Sequence, residues 1–480
     1  MFSLRRPGVR ARRKIALLEI DYDAVLSKIL ARGGDFADLY VEQGEPFSIL
    51  CEEDRIEKVV SGRDWGVGVR LVTGGKTAYA YTNDLTTASL NELAEAVGRA
   101  AAASKDPSCV PMLNLTRKRP SADLPVLRPP RATDTASKVA LVMGANATAR
   151  AVDRRIRQVM VVYRENLQGV TIAGSDGFIA GDERTYVTAF VQVIAAEGGV
   201  VQTAYEPVGG FCGMELFDAS SLEAAAQRAA QRAVLMLGAR RAPAGKMAVV
   251  LSSEAGGTMI HEAVGHGLEA DLAQSGLSIY SGKLGAQIAS SLITVIDDAT
   301  LPGKRGSFRF DDEGTAAQRT VLVEKGILRS FLYDRLTAMK DGARSTGNGR
   351  RESYRHRPIP RMSNTYIAPG DTDPGDILRD TPCGLYVRKM GGGQVNTVNG
   401  DFVFEVSEGY LIENGSIGEP VRGATLTGNG PRVLMSIDKV GSDLGFAIGT
   451  CGKDGQGAPV SDAQPTLRIP DIVVGGEVRQ

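Results

Sequence analysis

Two of the three histidines in this 480-residue chain lie five residues apart, with a glutamate directly after the first, in the stretch His261-Glu262-Ala263-Val264-Gly265-His266. A short apolar strand, Lys246 to Leu251, feeds into it, so the pair is expected on a helix at a strand-to-helix transition. The spacing constrains that helix. Side chains four apart on an ideal helix diverge by about 40°, whereas those five apart diverge by about 140°. To act together, His261 and His266 need a one-residue π-bulge or a helix that unwinds at Gly265. Without a bend, the stretch is an ordinary helix with one core and one surface histidine.

Two neutral imidazoles beside a carboxylate are what a hydrolytic zinc site requires: the rings as ligands, the carboxylate to accept a proton from the attacking water. A catalytic zinc takes three protein ligands and leaves one position open. The third donor is not fixed by local spacing, and Glu269, Asp271, His356 and the cysteines are all candidates. Cys451 has the most suitable surroundings. Thr450-Cys451-Gly452-Lys453-Asp454-Gly455-Gln456-Gly457 reads as a glycine-bounded loop able to deliver a sulfur, with Lys453 placed to favour the thiolate.

Composition narrows the class of protein. Basic and acidic residues both number 56, so no overall positive field points to nucleic acid or membrane as a partner. No apolar run approaches the roughly 18 residues that cross a bilayer. Cys51, Cys109, Cys212, Cys383 and Cys451 are scattered without a Cys-x-x-Cys pair, which fits reduced thiols in a cytoplasm better than a disulfide framework. Residues 1–20, with Arg5, Arg6, Arg10, Arg12, Arg13 and Lys14, read as a floppy basic extension.

The remainder predicts an α+β chain of two domains, 21–241 and 242–480, joined at Arg240-Arg241-Ala242-Pro243-Ala244-Gly245. The first domain is expected to pack helices on mixed or antiparallel sheet. Its helices are predicted at Asp21 to Arg32, Thr87 to Ser104, Asp134 to Arg150 and Ser220 to Leu237, with strands at Ala37 to Glu42, Phe47 to Glu52, Gly66 to Val72, Thr77 to Thr82, Gln158 to Tyr163, Gly169 to Ala173 and Tyr186 to Ile194. A hairpin followed by an Ala-rich helix occurs twice, a faint sign of duplication. The second domain is read as strand-rich, carrying the histidine helix. Gly75-Lys76-Thr77 does not make a phosphate loop, because Arg70 stands where the motif needs glycine.

Two further pieces look functional. Arg344 to Arg361 holds six arginines and His356, and reads either as a solvated basic loop or as a grip on peptide carboxylates and carbonyls through residues such as Arg350 and Arg351. Gly391-Gly392-Gly393 could admit another backbone at close range, which makes it a candidate peptide-binding stretch. It does not satisfy the dinucleotide pattern, since Asn396 occupies the last glycine position.

The run His261-Glu262-Ala263-Val264-Gly265-His266-Gly267-Leu268-Glu269-Ala270-Asp271 resembles the signature of the TldD branch of the TldD/PmbA peptidase family, whose other name refers to modulation of DNA gyrase. Supporting matches are Phe310-Asp311-Asp312-Glu313-Gly314-Thr315, Thr346-Gly347-Asn348-Gly349-Arg350-Arg351, Gly391-Gly392-Gly393, Gly400-Asp401-Phe402, and Cys451, Gly452, Lys453, Gly455 and Gln456. The likeness runs from about Asp21 to Ile472. It implies a peptidase of unfolded peptides with one Zn2+ per chain held by His261, His266 and Cys451, and with Glu262 as general base. It also implies a heteromer with a PmbA-type subunit that lacks the metal motif, besides self-association. The alternative is a non-catalytic peptide-binding or assembly subunit with a structural metal or none; retention of His261, Glu262 and His266 favours the enzyme.

Overall fold

The computed structural model describes residues 20–100 and 115–477. The basic extension up to residue 19, the expected tail of the second helix beyond residue 100 and Cys109 lie outside the described residues.

Three long strands, Phe36–Glu52, Ile156–Gly174 and Phe178–Glu197, run antiparallel side by side and form the spine of an eight-stranded sheet. The period-two alternation of a strand divides their side chains between two faces. Ala37, Leu39 and Val41 bury against helices Tyr22–Leu30 and Thr87–Gly98 at one end of a face, while Ile49 and Cys51 bury against Thr135–Ala151 and Leu222–Gly238 at the other. Each of these four helices starts where its sequence offers a cap: Asp21, Thr86, Asp134 and Ser221 all accept from the backbone N–H three residues on.

Sequence reading breaks the first two long strands in two and finds only Tyr186 to Ile194 of the third, and the structure corrects this. Pro46 lies in the first gap and cannot donate to a ladder. It falls where one neighbour, Asp64–Thr73, stops pairing at Gly44 and the next, Arg55–Ser61, begins pairing at Phe47, so that edge demands no donor from it. The polar run Arg164 to Gln168 stays extended because it is paired on both sides. Strand Val200–Phe211, which completes this sheet beside Phe178–Glu197, carried no signal recognised in the sequence.

The opposite face of the sheet receives the second half of the chain. Tyr40, Val170, Ile172, Phe178 and Ala180 pack with Phe310 and Tyr354. The approach is close enough to dictate a residue: a Cβ on Gly66 would lie 2.2 Å from the Tyr354 ring.

In the second half, strands Gly245–Leu251, Leu467–Gly475, Thr425–Asn429, Asp401–Glu413 and Cys383–Val395 pair in a ring that closes on itself, since the last also pairs with the first. A six-stranded sheet lies beside it and ends in the hairpin Gly445–Lys453 and Gln456–Gln464. The stretch read from sequence as a loop around Cys451 is this hairpin. Asp454 and Gly455 turn it with φ of 50° and 71°, the left-handed pair that two-residue hairpin turns favour. Between ring and sheet sits the histidine segment, its Met259, Ile260, Val264 and Leu268 buried in the core they share.

Candidate metal centre

The chain leaves strand Gly245–Leu251, makes a short turn at Ser253–Ala255 and enters a helix at Thr258–Ile260. From His261 to Gly265 the helix widens to a π-turn, then tightens to a 3-10 turn over His266–Leu268. The bend predicted from the five-residue spacing is therefore present, and it brings the two imidazoles face to edge with ring centroids 5.1 Å apart. Cys451, on the edge strand of the neighbouring sheet, meets them: its Sγ is 3.5 Å from His266 Nε2. The ligand atoms of His261, His266 and Cys451 all lie within 4.8 Å of one another.

Three observations say that this set fits a cation. Donors about 2.0–2.3 Å from a tetrahedral ion sit roughly 3.3–3.8 Å apart, a spacing the cysteine and His266 already have. His261 Nδ1 faces the Asp462 carboxylate at 3.8 Å, which leaves the ring's other nitrogen as its donor. Finally, burial works against a thiolate at Cys451, yet hydrogen bonds and charge from His261 and His266 prevail and bring its pKa down to about 5. The same attraction acts on the rings. Burial opposes a charged His266, but Glu269 and the Cys451 sulfur push it up to about 11. Two imidazoles and a thiolate form a borderline-soft donor set suited to zinc.

Around these three, charge is organised rather than free. Glu269 is fully buried and lies 3.0 Å from His266 Nδ1; burial opposes its ionisation, but His266 and Lys453 hold its pKa below the usual value. Lys453 Nζ reaches Asp271 Oδ1 at 2.6 Å and Glu269 Oε2 at 3.2 Å, so it serves the carboxylates and not the thiol that the sequence suggested. Neither Glu269 nor Asp271 joins the donor cluster, and His356 Nδ1 is taken up by Ser353 Oγ at 3.1 Å. Glu262 is half-buried beside His261 and, among the described residues, has no ion-pair partner. Asp462 was missed in the sequence, where it is one acid in a strand with nothing nearby to mark it; only its position behind His261 singles it out.

The other candidate contacts are placed differently. Arg350 and Arg351 are each 4 % exposed and Arg361 is buried, whereas Arg344, Arg355 and Arg357 are exposed, so the solvated reading holds for half of the arginines only. Arg350 donates to the Met362 carbonyl at 2.6 Å. Arg351 donates to the Asp312 carbonyl at 2.8 Å and stacks over the Tyr40 ring at 4.3 Å. The Arg351 guanidinium also lies 3.5 Å from Asp38 Oδ1, a buried acid of the N-terminal sheet that needs a cation beside it. Gly391, Gly392 and Gly393 belong to the bulged strand Cys383–Val395. A Cβ on Gly393 would meet Phe404 at 1.8 Å and one on Gly391 would meet Ser407 at 2.9 Å, so packing within the sheet accounts for both; only Gly392 has open space beside it.

This fold is that of a metallopeptidase family. Models of the three PmbA/TldA metallopeptidase domains match in order, domain 1 over residues 37–104, the central domain over 128–237 and the C-terminal domain over 244–476. The chain is 39% identical over 456 residues to a protein named Metalloprotease TldD homolog from Haemophilus influenzae, covering 93% of this chain and 94% of that one. It is 37% identical over 466 residues to a Metalloprotease from Methanothermobacter thermautotrophicus, covering 96% and 100%. Its fold is similar to the crystal structure of TldE from Thermococcus kodakarensis, with a TM-score of 0.74 and 18% identity over 94% of this chain and 99% of that one. The chain belongs to the PmbA/TldD metallopeptidase family, and the relatives it matches over nearly their whole length include TldD homologues.

Proposed function

We propose that this chain is a zinc-dependent metallopeptidase of unfolded peptides, the active subunit of a TldD/PmbA-type heteromer. The observation that carries the reading is the convergence of His261, His266 and Cys451 donor atoms within 4.8 Å, with Glu262 next in sequence to the first. His261 and His266 would hold the ion through ring nitrogens and Cys451 through its thiolate. Loading it exchanges the protons that the histidines carry, so binding and deprotonation are coupled. Once bound, zinc supplies Lewis acidity that polarises a peptide carbonyl and acidifies water. Glu262 accepts the proton of the attacking water and returns it to the departing amine nitrogen. Ile260, Val264 and Leu268 anchor the histidine segment in the apolar core and so hold the ligands in place.

The similarity in fold to a TldE structure supports a partner of that kind; the family resemblance implies that such a partner lacks the metal motif. We also place the boundary between the N-terminal α+β domain and the metal-bearing C-terminal domain at residues 241/242, and the protein in the cytoplasm. No described helix is long and apolar enough to cross a membrane, and Cys51, Cys212, Cys383 and Cys451 are free.

The test separates ligands from base. Replacing His261, His266 or Cys451 with Ala leaves two donors, and zinc per chain after dialysis is expected to fall sharply. Glu262→Gln keeps shape and removes the base, so zinc should remain while hydrolysis of an unstructured peptide drops by about 100-fold or more. Loss of zinc in Glu262→Gln would make Glu262 a ligand. Full zinc in Cys451→Ala would remove the cysteine from the set.

A further inference from the structure

The hairpin that delivers Cys451 carries two more side chains into the same place. Cys451 and Lys453 are two apart on one strand and so share a face. Asp462, on the returning strand, pairs with Ala447, which shares that face too. All three point at the histidine segment. Asp462 Oδ2 stands 3.8 Å from His261 Nδ1, and its other oxygen is tied down by the Gly257 N–H at 2.9 Å. Lys453 Nζ, 7 % exposed at its side chain, spends its three donors on Asp271, Glu269 and the Pro360 carbonyl at 2.6, 3.2 and 3.1 Å. Glu269 Oε2 in turn lies 3.0 Å from His266 Nδ1, which leaves Nε2 aimed at the cysteine sulfur.

An imidazole ligates through one nitrogen, and the partner of its other N–H fixes the tautomer and the plane of the ring. We propose that Asp462, Glu269 and Lys453 are the positioning residues of the metal centre: Asp462 orients His261 directly, and Lys453 orients His266 through Glu269. The inference rests on the reading that His261, His266 and Cys451 hold a metal. It assigns to Glu269 and Asp271, which lie close enough in sequence to be rival ligands, the role of holding a ligand and holding the lysine. It also makes the hairpin a unit that supplies one ligand and, directly or by relay, the orientation of the other two.

The experiment uses the full chain, stripped of metal and reloaded with zinc or with cobalt, in wild type and in Asp462→Asn, Glu269→Gln, Lys453→Met and Lys453→Arg. Zinc affinity is read by chelator competition. The cobalt spectrum reports the geometry through its d–d bands and the sulfur through its charge-transfer band. Asp462→Asn and Glu269→Gln are expected to weaken zinc by about 10- to 100-fold and to shift the d–d bands while the sulfur band persists. Lys453→Met should weaken zinc in the same direction, with Lys453→Arg partly restoring it. The double variant Glu269→Gln/Lys453→Met should be no weaker than Glu269→Gln alone, because the lysine acts through the glutamate. A purely structural role would lower the melting temperature and leave affinity and spectrum as in wild type; that outcome overturns the proposal. Additive losses in the double variant overturn the relay. Failure of wild type itself to bind one metal per chain would instead remove the reading on which the inference rests.

Discussion

Gly265 shows how one residue can be required for a reason other than its backbone freedom. Its position between the histidines suggests that glycine serves to unwind the helix, yet its φ of −53° and ψ of −56° are ordinary right-handed helix. What it supplies is room: a Cβ there would come within 2.0 Å of the Met362 sulfur, and Met362 is completely buried. Gly265→Ala is therefore expected to destabilise the protein by about 1–3 kcal/mol, the usual cost of overpacking, and to displace His266 enough to lower zinc content. Met362→Ala in the same chain should recover part of both losses. Melting temperature and zinc per chain measure them; an unchanged Gly265→Ala would show that the segment yields without strain. Arg350 and Arg351 teach the complementary point, since a run of arginines between turn residues looks solvated until its buried acids are found.

The segment Arg309 to Thr315 reaches across to the N-terminal sheet with three ion pairs: Arg309 to Asp182 at 3.1 Å, Asp312 to Arg184 at 2.8 Å and Glu313 to Arg70 at 2.6 Å. Asp311 instead turns inward and accepts from the N–H groups of Glu313, Thr315 and Gly349. Crowded acids out of water resist ionisation. Burial first, and then the charge of Glu313, push Asp311 up to about 8 and Asp334, the cap of helix Arg335–Asp341, up to about 7. Both stand above their ordinary value of 3.8, so the folded chain keeps protons that the unfolded chain has released. The stability these two groups contribute is full below about pH 4 and is lost as pH rises through 7 and 8. The urea midpoint should fall between about pH 5 and pH 9, and fall less steeply in Asp334→Asn, which keeps the cap and loses the titration. An equal slope in the variant would assign the pH dependence to other groups.

At the scale of the molecule, the N-terminal sheet ends in strands that carry exposed apolar side chains. Val59 and Val60 on Arg55–Ser61, and Val201 and Tyr205 on Val200–Phe211, are 44 to 59 % exposed. Bare strand edges of this kind pair or pack readily with another chain, which supports the heteromer proposed above. Mixing this chain with a family member that lacks the metal motif is expected to raise turnover of an unstructured peptide above that of the isolated chain at equal active-site concentration. Folded domains should be spared by the mixture. Equal turnover with and without the relative would mean that this chain completes its own cleft.

The sequence by itself determined what is local. The four N-terminal helices start within two residues of the predicted positions, because a helix start is set by neighbours one turn away. The same holds for the bend between His261 and His266, which their spacing demands. Only the tertiary structure decided which strands continue through Pro46 and Arg164 to Gln168, since those two stretches pair with each other across more than a hundred residues. It also decided that Cys451, Lys453 and Asp462 arrive together. Their common face exists only once Asp454-Gly455 has folded the hairpin in register and the hairpin has docked on a segment some 180 residues earlier, at separations where sequence carries identity but no geometry.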